Sequence, residues 1–171
     1  SIQINKVSVN KSIINGCSGD MFAYKESTVA QIPVTEITNS TLIKPQGRIF
    51  YAGNAASFSI DYCTMYGWGG SKAMLELGDK NTLGMSLAIK NTILANGGSN
   101  RKAHNANAAA NLSLTIEKVY GTNDMTFHST LGDVTKYDKP STEVFENPEE
   151  GNFKIIDALF PSSIGDPRWT E

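Results

Sequence analysis

Two histidines, His104 and His128, and two cysteines, Cys17 and Cys63, are the residues of this 171-residue chain best suited to acid–base, nucleophilic or metal chemistry. The histidines stand 24 positions apart. Neither is spaced from a Cys, Asp or Glu in the manner of a zinc ligand set, so no metal site is expected. His104 falls in a tract of Asn, Ala and Gly and His128 on the polar side of an alternating run, and both read as solvated side chains. Neither cysteine has a flanking motif that would activate its thiol. In an oxidising compartment Cys17 and Cys63 could close one disulfide; the alternative is two unpaired, small core hydrophobes. No G-x-S-x-G elbow is present to build a serine triad.

The cluster Gly67-Trp68-Gly69-Gly70-Ser71 is the segment most like a phosphate loop. It lacks the G-x-x-x-x-G-K-[ST] spacing and the strand-then-helix setting that would aim backbone N–H groups at a phosphate. It reads instead as a glycine-rich bend with Trp68 filling space between sheets. A variant makes Tyr66 and Trp68 an exposed aromatic platform for a sugar ring. Asp138 to Glu150 gathers five acids and one lysine without the order of a calcium loop, which suits a solvated acidic loop. These residues predict no catalytic group and no cofactor.

The elements that must position such groups come from short alternating runs. Val7/Val9, Phe58/Ile60/Tyr62, Ala73/Leu75/Leu77 and Leu112/Leu114/Ile116 each place apolar residues on one face. Asn15-Gly16 after Ile13-Ile14 favours a tight hairpin, and Gly53-Asn54 and Gly78 to Asn81 are further turns. Val29 to Ile37 carries Pro33, which demotes it to an edge strand. Residues 83–94 fit either period, strand or helix, with Gly84 and Ser86 favouring strand as far as Ile89. Asn96 to Asn111 reads as a long exposed loop. Met125 to Leu131 is expected to return against Leu112 to Glu117 as a hairpin. No internal repeat is evident. The fold expected is mainly β, an antiparallel β-sandwich or barrel with long loops and at most one short helix. One domain spans residues 1–160, and 161–171 form a tail.

Composition narrows the function without naming it. Charged residues are 19% of the chain, below the roughly 25% of average soluble domains. Ser and Thr number 30, and Asn and Gly 15 each. A net charge of −2 offers no electrostatic footprint for nucleic acid, and no apolar run is long enough to enter and cross a bilayer. The expectation is a non-enzymatic structural subunit that assembles with copies of itself, as in a virion, phage tail or surface filament. Ile164 and Trp169 of the tail are the expected contacts with a neighbouring copy. The alternatives are an extracellular carbohydrate-binding or adhesin module, and an enzyme with a dispersed active site.

Overall fold

The alternating runs do form strands, and each strand pairs with one a full coil away. The structure, a computed structural model, describes residues 4–24, 34–52, 56–77, 84–109 and 111–170. It is a parallel β-solenoid of about four turns. Sheet A stacks β1 (Lys6–Asn10), β4 (Val34–Thr38), β7 (Ser57–Asp61), β10 (Met85–Lys90) and β12 (Leu112–Glu117), all parallel. Sheet B stacks β2 (Ile13–Asn15), β5 (Thr41–Ile43), β8 (Thr64–Tyr66), β11 (Ile93–Ala95), β13 (Tyr120–Gly121) and β14 (Thr135–Lys136). Sheet C holds β3 (Phe22–Tyr24), β6 (Phe50–Ala52) and β9 (Leu75–Leu77), and isolated parallel bridges continue it through His104.

The mainly β expectation stands, and the antiparallel sandwich or barrel is corrected. Period-two alternation reports which face is buried and is silent about the direction of the neighbouring strand. Stacking then aligns like with like. Val9, Ile37, Ile60, Ile89 and Ile116 form one inward column, and Val7, Thr35, Phe58, Leu87 and Leu114 form the next. In the middle turns these side chains are fully buried, and complete burial of an Ile, Leu or Phe contributes roughly 1.5–3 kcal/mol. The rungs recur at positions 8, 36, 59, 88 and 115. The steps between them are unequal, so no fixed repeat shows in the sequence.

Corners replace the expected hairpins. Lys11, Asn39, Tyr62, Asn91 and Lys118 occupy equivalent corners between sheets A and B, with φ of 43–52°. Such left-handed backbone turns the chain without reversing it. The next residue caps the strand just left: the hydroxyls of Ser12, Ser40 and Thr92 donate to Asn10, Thr38 and Lys90 carbonyls. Asn15-Gly16 makes a corner of the same kind, with Gly16 at φ 72°, and β2 pairs parallel with β5. Pro33 and the turns at Gly53-Asn54 and Gly78 to Asn81 lie outside the described residues. Immediately after Pro33, β4 is an inner strand between β1 and β7. Residues 85–90 and 93–95 are strands. Met125 to Leu131 does not return against β12; it runs on into the next turn, with a parallel bridge from Phe127 to Arg101 and a 3-10 turn at Ser129–Leu131.

A second layer covers the outside of sheet B. The expected acidic loop contains α2 (Ser141–Val144), β15 (Phe145–Asn147) and a 3-10 turn, and β15 pairs antiparallel with β16 (Asn152–Ile155). Phe145, Phe153, Phe160 and Ile164 pack on Ile43, Tyr66 and Ile93. Thr41 and Thr64 are buried beneath this layer. The Thr41 hydroxyl donates to Asp166 at 2.7 Å and accepts from Trp169 Nε1 at 2.7 Å, while the Asp166 N–H donates to Thr64. The Trp169 ring stands 5.8 Å from Phe153. Ile164 and Trp169, expected to reach a neighbouring copy, therefore rest against their own sheet.

Candidate functional site

One solenoid turn converts a sequence separation of nearly thirty residues into adjacency, and this brings the two histidines together. Met74 and Leu75 N–H donate to Lys102 and Ala103 carbonyls at 3.0 and 2.9 Å. One turn further, Ala103 N–H donates to Thr130 Oγ1 at 3.0 Å and His128 N–H to the Arg101 carbonyl at 2.8 Å. Segments 71–76, 102–105 and 128–130 thus lie side by side, with α1 (Ala106–Ala109) at the edge. Between them opens a cleft of about 340 Å³, lined by Ser71, Glu76, Lys102, His104, His128 and Thr130 with Ala73, Ala106 and Ala109. That is within the usual range of small-molecule sites. The tract 96–111, expected as an exposed loop, supplies one wall and buries Arg101, Ala103 and Ala108.

The hydrogen bonds of the imidazoles fix their tautomers. His104 Nδ1 lies 3.0 Å from the Asn105 carbonyl. A carbonyl only accepts, so Nδ1 carries a proton, and in the neutral ring Nε2 keeps its lone pair. His128 Nδ1 accepts from the Thr130 backbone N–H at 3.2 Å, capping the turn 129–131. Its proton is therefore on Nε2. The cleft holds one imidazole that accepts at Nε2 and one that donates there.

The other groups divide into committed and available ones. Glu76 accepts from Arg48 Nε at 2.6 Å and from the Ala73 N–H at 3.1 Å. Arg48 also grips Asp20 and stacks on Tyr51, its guanidinium 4.6 Å from the ring centre. Burial alone would pull the Arg48 pKa down, but the bonds to Glu76 and Asp20 outweigh it and push it up. Asn105 clamps Leu77 and caps α1. Lys102 is exposed and forms no ion pair among the described residues. Beneath the cleft, Arg101 donates to the carbonyls of Gly69, Gly70 and Ser99, with its guanidinium 5.9 Å from the Trp68 ring. Among the described residues, no group of three or more His, Cys, Asp or Glu is placed to hold a metal ion.

Tyr66 and Trp68 do not form an exposed platform, because both are fully buried. Trp68 fills the solenoid interior, and its Nε1 finds no hydrogen-bond partner among the described residues. Tyr66 lies under the C-terminal layer, donates to Glu149 at 2.5 Å and accepts from Asn96 at 2.6 Å. Burial and the neighbouring Glu149 carboxylate push its pKa up to about 12. Cys17 and Cys63 are free thiols. They sit two turns apart, on the order of 10 Å at the ~4.8 Å spacing of neighbouring strands, beyond the roughly 7 Å between Cα atoms that a disulfide tolerates. The pairing of His104 with His128 was hidden in the sequence. A separation close to one turn was the available signal, and it has meaning only once the coil is known.

Residues 58–169 match a family model described as a domain of unknown function (DUF5123). The match covers well over half of the chain and every residue of the cleft. No curated protein and no solved structure matches the chain.

Proposed function

Because the chain belongs to the family of domains of unknown function termed DUF5123, its role is read from its own geometry, and we propose that it is a non-enzymatic carbohydrate-binding module. The observation that carries this is the pair of opposed imidazoles in one cleft. Each sugar hydroxyl both donates and accepts. Neighbouring hydroxyls on a ring can therefore satisfy His104 Nε2 and His128 Nε2–H together. The alanine side chains supply an apolar surface for the C–H face of the ring. Among the described residues Glu76 is the only carboxylate lining the cleft and is held by Arg48, which disfavours the paired-carboxylate route of glycoside hydrolysis.

The test is a glycan array followed by titration calorimetry. His104→Ala should weaken binding about tenfold, the loss of one well-made hydrogen bond at roughly 1.4 kcal/mol. His128→Asn should do the same while keeping a capping oxygen for the 129–131 turn. A wild-type protein that binds no glycan at millimolar concentration would end this reading.

A second reading, the self-assembling structural subunit, is favoured by a separate observation. The first turn contributes β1, β2 and β3, and each lies at the end of its sheet. Ile13 of β2 and Ile4, just before β1, are about half exposed. Parallel edges with no partner among the described residues are templates for another strand. Sedimentation across a concentration series tests it: particles larger than the monomer support assembly, and a monomer at every concentration argues against it.

A further inference from the structure

We infer that the sugar bound in this cleft is acidic, its carboxylate or sulfate seated at Lys102 beside the donor nitrogen of His128. This rests on the carbohydrate reading above and specifies its ligand. The reasoning is a local charge balance. Among the described residues of the cleft lining Glu76 brings the only negative charge, and it is neutralised within the protein by Arg48 at 2.6 Å. Arg48 itself is shared with Asp20 at 2.9 Å, so that cluster is closed on itself. Lys102 has no such partner among the described residues and stands in solvent at the rim. The bridge between Arg101 and Phe127 and the bond from His128 N–H to the Arg101 carbonyl put Lys102 and His128 on neighbouring rungs. His128 is held with its proton on Nε2 by the Thr130 N–H. The cleft thus presents an ammonium and an N–H donor together, with no free carboxylate among the described residues of its lining to repel an anion. The chain as a whole has net charge −2, so this local excess of positive charge is not a general property of its surface. Charge-assisted hydrogen bonds are roughly twice as strong as neutral ones, and they would select an acidic sugar over a neutral one of the same shape.

The experiment uses a uronic-acid tetramer, its methyl ester and sodium acetate as probes in titration calorimetry, with a sulfated disaccharide as a separate arm. The acid should bind about tenfold tighter than the ester. That gap should shrink with added salt and vanish in Lys102→Met, whose melting temperature should match wild type because the residue is exposed. Tighter binding of the uronic acid identifies a carboxylate ligand, and tighter binding of the sulfated sugar identifies a sulfate ligand. Equal binding of acid and ester, or preference for neutral glycans, overturns the acidic specificity and leaves the carbohydrate reading intact. Acetate binding as tightly as the tetramer overturns it as well, since the site would then recognise an anion without its sugar. If no acid, ester or neutral oligosaccharide binds, both readings fall together.

Discussion

Cys63 occupies the rung position that Ser12, Ser40 and Thr92 occupy in other turns, and its thiol faces the Ile37 and Asp61 carbonyls at 3.5 and 3.3 Å. Burial, chiefly, pushes that thiol up to about 12, so it is unreactive in the folded protein. Native protein treated with an alkylating reagent should be modified once, at partly exposed Cys17, and twice after denaturation. Reduction should leave the intact mass unchanged. Double modification of the native protein would contradict the burial of Cys63. Cys63→Ser restores the hydroxyl seen in the adjacent turns and should cost less than about 1 kcal/mol, the scale of one net hydrogen bond. This equivalence could not be seen in the sequence. Ser12, Ser40, Cys63 and Thr92 share no chemistry until a coil of unequal steps places them in one column.

The C-terminal layer is an element whose stability has a pH signature. Asp157 accepts from Tyr137 Oη at 2.6 Å and pairs with Lys139 at 2.9 Å, which holds its carboxyl down at about 2. An unfolded Asp titrates near 3.9. The folded value is the lower one, so this contribution is fully present above roughly pH 4 and is lost as pH falls through about 2. Melting temperature against pH, compared between wild type and Asp157→Asn, should show a wild-type advantage at neutral pH that disappears in that window. An advantage that grows on acidification would contradict it. Trp169→Ala should lower stability by about 2 kcal/mol, less than a fully buried ring costs because the indole is partly exposed. It should leave the oligomeric state unchanged, since the ring docks on its own sheet. Elements were the most legible scale. The alternation marked β7, β10 and β12 to within a residue or two, because a half-buried strand has that pattern whatever it pairs with. Partners were illegible for the same reason: Asn15-Gly16 supplies positive φ equally to a hairpin and to a solenoid corner.

At the scale of the whole molecule, the stack places its rungs unequally, some paired on both sides and others on one side among the described residues. Amide hydrogen exchange should be slowest in β7 and β10, which are paired on both sides, and faster in β1 and β12 at the edges of sheet A. Uniform protection across sheet A would contradict β1 and β12 as its edge strands. The coil also explains why the cleft could not be read beforehand. Glu76, Lys102, His104 and His128 belong to three successive turns, and only parallel stacking at unequal steps makes them neighbours. The most direct test of the central claim, that this cleft holds a sugar, is to follow amide and imidazole NMR signals while titrating a uronic-acid tetramer into the folded protein. Shifts concentrated in residues 71–76, 102–109 and 128–130, with His104 and His128 ring signals moving together, are the predicted result. Saturating shifts confined elsewhere, such as the corner between sheets A and B around Tyr62, would contradict it.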